Sequence, residues 1–413
     1  MQLLSSPLSV FVAQALLIIA ASRILGLVAR RIGQPMVVAE VVAGILLGPS
    51  LLGAIAPSAE AALFPPASFG ALNMVSQIGL ILFMCVVGLK LDPSLLRGRL
   101  RSSVAISHAS IALPFVLGIA VAAVCYARLA PAHVAVTPFA LFMGVAMSIT
   151  AFPVLARILT ELRLMHSKVG AITISCAAVD DVTAWCVLAV VVSIARATGV
   201  AGAIQTIALA VLYGALMVTI VRPCLAWLDA RFGTPLTQEA FAVVVLLMLA
   251  SSWVTELIGI HALFGAFLFG AILPRHGKLS TALIQKTEDA VVVVFLPLFF
   301  AYSGLRTQIG LLDSASDWGI CLVIIVAACA GKFGGSALAA RLTGLSWREA
   351  SVIGVLMNTR GLMELIVLNI GLDLGVISIR LFTMMVVMAL VTTFMTTPLL
   401  QRLHLTSAGR EYR

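Results

Sequence analysis

Asp180 and Asp181 stand side by side inside 172–193, an apolar stretch long enough to cross a bilayer. One carboxylate at membrane depth is costly, and two adjacent ones need a counter-charge or a bound ion. Ionisable residues in such helices mark ion pathways and proton relays, so the pair is the predicted binding site for a proton or a metal cation. Lys332 is a second buried charge, set in Gly331-Lys332-Phe333-Gly334-Gly335. The glycines around it let a neighbouring helix come close, and a lone ammonium at that depth needs a carboxylate partner. Asp180 or Asp181 is the natural one. Arg360 and Glu364 are four residues apart, on one helical face, where they can pair with each other.

Two polar interruptions accompany these charges. Ser148-Ile149-Thr150-Ala151-Phe152-Pro153 breaks one apolar run, with Pro153 removing a backbone donor. Asn358-Thr359-Arg360-Gly361 breaks another. Paired interruptions at membrane depth point to a transport site, because half-helix ends present partial charges there.

The elements that hold these residues follow from composition. Hydrophobic residues are 62% of 413 and charged residues 10%, against about 25% charge in a soluble protein. An all-α polytopic membrane protein is predicted, with about thirteen spans near 8–29, 34–53, 69–89, 103–125, 136–160, 166–195, 203–222, 238–258, 260–275, 290–308, 317–342, 347–371 and 376–400. The segment 260–275 is short for a span. The first span lacks a signal-peptide cleavage pattern and is kept as a membrane helix.

The net charge of +9 does not mean nucleic acid. Lys and Arg fall in alternate connections, from Arg30 and Arg31 through Lys90, Arg97 and Arg99 to Arg402. The positive-inside rule then sets the N-terminus outside and the C-terminus in the cytoplasm of a cell (inner) membrane, and it requires an odd number of spans. Arg23 fits a snorkelling role near a span end, whereas Lys332 is too deep for one. The seven cysteines lie in or beside apolar helices without paired spacing and read as packing residues. The six histidines form no metal pattern, and His261, at a helix start, reads as a solvated or capping residue before a pH sensor. No cofactor and no enzymatic chemistry are implied.

An internal repeat organises the chain. Gly44-Ile45-Leu46-Leu47-Gly48-Pro49 is echoed by Gly270-Ala271-Ile272-Leu273-Pro274, and Val86-Val87-Gly88-Leu89-Lys90 by Tyr302-Ser303-Gly304-Leu305-Arg306. Both pairs are an odd number of spans apart, so the copies cross the membrane in opposite senses. Two inverted six-helix repeats are predicted, 1–200 and 235–413, joined by a linker helix in 201–234. No soluble regulatory domain is expected after the last span.

Taken together, the Gly44–Pro49 motif, Thr150-Ala151-Phe152-Pro153, Asp180-Asp181, Lys332 and Asn358-Thr359-Arg360-Gly361 resemble the monovalent cation/proton antiporter superfamily. The likeness is to its second bacterial branch of Na⁺/H⁺ and K⁺/H⁺ exchangers and the related plant cation/proton exchangers. It covers essentially the whole chain. The resemblance implies two discontinuous helices crossing beside the carboxylate pair, in a core that slides against a dimerisation domain. It implies Asp181 as the cation- and proton-binding carboxylate, Asp180 as the partner of Lys332, and backbone near Thr150 lining the site. Ser148, Pro153, Asn358, Thr359, Arg360 and Glu364 would support the breaks. The two-aspartate form implies electrogenic exchange, and the family implies a homodimer.

Such a mechanism needs no covalent step. Protons and Na⁺ or K⁺ compete for the oxygens of Asp180 and Asp181, which titrate as a coupled unit. An ion-coupled symporter of a small organic solute and a cation uniporter or channel are the competing readings. The symporter would need more polar side chains in mid-span, and the channel would lack strict competition between proton and cation.

Overall fold

A computed structural model describes residues 6–90, 100–161, 164, 167–195, 199–231, 237–275 and 277–405. Among them there is helix and connecting turn but no strand. Ten helices are long and apolar enough to cross a membrane. The remaining three predicted spans are the two interrupted ones and the short ninth.

The first spans are α1 (Pro7–Arg31), α2 (Met36–Leu47), α3 (Phe69–Lys90) and α4 (Leu100–Leu129). The fifth is split into α5 (Val136–Ser148) and α6 (Phe152–Glu161), and the carboxylate pair lies on α7 (Lys168–Ala195). Next come α8 (Gly199–Leu216), α9 (Arg222–Arg231), α10 (Gln238–Ile258) and α11 (Ala262–Ile272). They are followed by α12 (Lys278–Ala290), α13 (Leu296–Leu305), α14 (Ala315–Cys329) and α15 (Gly335–Leu342). The twelfth span is split into α16 (Trp347–Met357) and α17 (Leu362–Asp373), and α18 (Ile379–Leu405) is the last. Three junctions are π-helical turns, at Met217–Val221, Val291–Phe295 and Ala330–Gly334.

The chain divides into two compact units. One comprises 1–20, 61–92 and 188–302. Within it α3 and α11 cross on glycine. A Cβ added to Gly88 would lie 2.1 Å from the Phe267 carbonyl oxygen, and one added to Gly270 would lie 2.0 Å from that of Cys85. Each glycine therefore admits the other helix's backbone, the small-residue packing that joins helices where water supplies no driving force. The turn from α10 to α11 is tight. Gly259 takes a left-handed conformation (φ 93°), and His261 (φ 76°) caps α11 by accepting the Leu263 N–H. The capping role expected for this histidine is the one it has.

The other unit comprises 21–60, 93–187 and 303–413 and carries both broken spans. A second glycine crossing lies here, between α2 and the end of α13: a Cβ on Gly304 would meet the Val41 carbonyl oxygen at 2.3 Å. The repeated motifs thus pack in exchanged pairs, third span with ninth and tenth with second. α16 begins with a capping box in which Ser346 and Glu349 satisfy each other's backbone N–H groups. Lys168 at the start of α7 bonds Glu349 at 2.9 Å, which ties the entrances of the two helices together.

Candidate functional site

Both breaks lie where the sequence puts them, and they cross. α5 ends at Ser148 and α6 begins at Phe152. Pro153 is the second residue of α6, so it sits in a first turn, where its missing N–H is one that has no helical partner anyway. The proline thus opens the second half-helix and does not kink a continuous one. α16 ends at Met357, and α17 begins after Gly361, whose φ of 157° and ψ of −124° are open only to glycine. At the crossing, the Ala151 N–H donates to the Thr359 carbonyl at 3.1 Å.

The second break caps the helix end at the first. Arg360 donates to the Ala146 and Met147 carbonyls, at 3.1 and 2.6 Å, two of the last acceptors of α5. Thr150 Oγ1 lies 3.3 Å from the Met357 carbonyl, the last of α16. Buried helix ends need such donors, because a bilayer offers no water to replace them. Arg360 pairs with Glu364 at 2.9 Å, both side chains being fully buried, as their spacing predicts. Glu364 lies in the first turn of α17, where a negative charge opposes the positive helix end.

Ser148 stays within reach of its own helix and α4, with Oγ 2.6 Å from the Gly144 carbonyl and 3.1 Å from that of Ile111. Asn358 Nδ2 lies 3.5 Å from Cys329 Sγ, and Thr359 Oγ1 lies 3.4 Å from Thr396 Oγ1.

Beside this crossing the two aspartates have opposite surroundings. Asp180 accepts four donors. Ser107 Oγ reaches Oδ1 at 2.5 Å. Ser110 Oγ and Thr150 Oγ1 each reach Oδ2 at 2.8 Å, and Lys332 Nζ reaches it at 3.1 Å. Lys332 also donates to Thr150 Oγ1 at 2.6 Å. Asp181 is 1% exposed, yet among the described residues neither of its oxygens has a hydrogen-bond partner. A buried carboxylate with empty lone pairs is suited to taking a proton or a cation.

Lys332 is delivered by the π-helical turn at Ala330–Gly334. Its flanking glycines meet α4: a Cβ on Gly331 would lie 2.7 Å from Pro114 Cα, and one on Gly335 the same distance from the Ala109 carbonyl oxygen. The close approach expected of these glycines brings α4, with its Ser110, under the ammonium.

Three site residues escaped the sequence reading. Ser107 and Ser110 lie on one face of α4, a turn apart. Thr393 on α18 holds the second break, accepting the Arg360 N–H at 3.2 Å and donating to the Arg360 carbonyl at 2.8 Å. For Thr150 the sequence reading expected backbone to line the site, whereas its hydroxyl also takes part.

Residues 16–402 match the family described as sodium/hydrogen exchanger, transmembrane. The Na⁺/H⁺ antiporter NhaS4 of Synechocystis is 44% identical, over 97% of this chain and 98% of its own. Cation/H⁺ antiporter 17 of Arabidopsis thaliana is 41% identical over 96% of this chain, and K⁺/H⁺ antiporter 1 of Saccharomyces cerevisiae is 35% identical over 96%. The chain spans 48% and 46%, about half, of those two longer relatives. Among solved structures, the sodium proton antiporter MjNhaP1 of Methanocaldococcus jannaschii superposes with a TM-score of 0.67 over 98% of each chain, at 16% identity, so the likeness is one of fold. A match that runs through both breaks, the carboxylate pair and Lys332 makes this chain a member of the sodium/hydrogen exchanger family of membrane cation/proton antiporters.

Proposed function

We propose that the chain exchanges a monovalent cation, Na⁺ or K⁺, for protons at Asp181, with Asp180 held by Lys332 as the fixed charge beside it. The observation that carries this reading is the asymmetry of the pair: four donors converge on Asp180, whereas neither oxygen of Asp181 has a hydrogen-bond partner among the described residues. Cation and proton then exclude each other at one carboxylate, and alternating access turns that exclusion into exchange. Thr150 and the crossing of the breaks complete the site, and Ser148, Pro153, Asn358, Thr359, Arg360 and Glu364 support it.

In this reading 1–200 and 235–413 are inverted repeats, and the exchanged packing of their glycine motifs supports it. The protein lies in the cell membrane with its N-terminus outside and its C-terminus in the cytoplasm, and it works as a homodimer. The test is reconstitution into proteoliposomes with an imposed pH gradient. Adding Na⁺ or K⁺ should dissipate the gradient, and the absence of a response to any alkali cation from folded protein would sink the proposal. Cation entry that proceeds without counter-movement of protons would favour a channel.

A further inference from the structure

The π-helical turn that delivers Lys332 leads into α15, and the far end of α15 meets α16 in a short turn. Gly344 makes that turn in a left-handed conformation (φ 93°), and a Cβ placed on it would meet nothing within 4 Å. Arg341 spans the turn. It donates to the Leu345 carbonyl at 3.1 Å, and its guanidinium carbon lies 5.7 Å from the centre of the Trp347 ring, within reach of the ring's negative face. Arg348, next to that tryptophan, donates to the Leu403 carbonyl at 3.2 Å. The last turn of α18, with its exposed Arg402, therefore stands at the same corner.

Little opposing charge meets these three arginines. Glu349 bonds Lys168 and the Ser346 N–H. Among the described residues no carboxylate pairs with Arg341 or Arg402. A guanidinium has five N–H donors, and Arg341 spends one of them on the turn. The outward surface beside them is apolar. Trp347 is 62% exposed, Leu342 78% and Leu338 54%, and the two leucines are four apart on one side of α15.

We propose that this corner binds an anionic phospholipid, with Arg341 and Arg402 on its phosphate, Trp347 at its glycerol edge and an acyl chain against Leu342 and Leu338. Positive charge alone would suit any phosphate. The exposed indole and leucines select a lipid, because tryptophan sits at headgroup level in a bilayer and leucine in its acyl region. The corner also lies on the side that the charge bias assigns to the cytoplasm, where basic groups next to a span meet anionic lipid. A lipid seated there braces the turn between the helix that follows Lys332 and the first half of the broken twelfth span.

The experiment titrates phosphatidylglycerol into the detergent-solubilised full chain and reads its apparent dissociation constant from the rise in melting temperature. Phosphatidylcholine with the same acyl chains and glycerol 3-phosphate are titrated beside it. Only phosphatidylglycerol should stabilise the protein. An arginine near an anionic headgroup is worth about fivefold in affinity, so Arg402→Gln should weaken binding by about that factor and Arg341→Gln by at least as much. Trp347→Leu should weaken it too. A second arginine–tryptophan pair provides the control: Arg231 lies 4.6 Å over the Trp227 ring, within α9 alone. Arg231→Gln should leave the constant unchanged.

Equal stabilisation by phosphatidylcholine would overturn the proposal, because acyl contact alone would then suffice. Stabilisation by glycerol 3-phosphate at the same concentrations would make this a site for a soluble anion and overturn it as well. So would an unchanged constant in Arg402→Gln, which leaves the turn intact and carries the test if Arg341→Gln folds poorly. An equal loss in Arg231→Gln would mean general attraction to a basic surface and no site at this corner.

Discussion

The two broken spans face the same difficulty and meet it with different chemistry. The first break, Ile149–Ala151, is uncharged. Its one polar side chain, Thr150, bridges Lys332 and Asp180 and reaches the end of α16. The second, Asn358–Gly361, carries a full charge and the one glycine-only conformation at the crossing. Its arginine serves the end of α5. The difference separates two tasks that a broken helix must perform. One break supplies a side chain to the Asp180–Lys332 pair, and the other keeps the opened backbone satisfied. A positive charge on the first break would repel the transported cation, whereas on the second it is neutralised by Glu364 and spent on carbonyls.

Asp181→Asn gives the largest expected effect. An amide cannot cycle a proton, so gradient dissipation in proteoliposomes should vanish while the melting temperature holds. Asp180→Asn should retain weaker exchange. Full activity in Asp181→Asn would move the site off the first break's side of the crossing.

Arg360→Leu comes next, and it puts the division of labour to the test. It strips two carbonyls of α5 of their donor and leaves Glu364 buried and unpaired, a loss of about 3–5 kcal/mol. Thr150→Val should cost far less stability but weaken exchange. If Thr150→Val proved the more destabilising in a thermal melt, the two breaks would not differ as described.

The Lys332–Asp180 pair sharpens the comparison on the site side. Lys332→Gln leaves a carboxylate uncompensated at depth and should lose about 3–5 kcal/mol. Adding Asp180→Asn should restore much of that, since both charges are then gone. Simple addition of the two losses in a double-mutant cycle would mean that they are not partners.

The smallest effect is expected at Gly361. Alanine there must adopt a conformation that costs about 1–3 kcal/mol, and its Cβ would lie 2.8 Å from Val154 Cγ2. The change should lower thermal stability modestly, while Ala151→Gly at the first break should shift it less.

Much of this arrangement is legible in the sequence because charge and broken periodicity are rare in apolar spans. Asp180, Asp181, Lys332 and both breaks stand out for that reason, as does the Arg360–Glu364 spacing. Ser107, Ser110 and Thr393 do not, because a hydroxyl in a membrane helix can bond its own preceding turn and so betrays no distant partner. Thr392 does just that with the Met388 carbonyl, one residue away from Thr393, which holds the second break. The role of Pro153 is also ambiguous in sequence: the same residue ends one helix or opens the next. The turn it occupies is fixed by Thr359, more than two hundred residues later.

The hydrogen bonding between the breaks has a mechanical corollary. Three hydrogen bonds join them: Ala151 to Thr359, and Arg360 to Ala146 and Met147. Prising the two apart would strand these groups in a medium where each unsatisfied one costs several kcal/mol. In the proposed exchange the knot would therefore travel whole, and access to Asp181 would alternate by changes in what surrounds it, like a bead whose thread moves past it on either side.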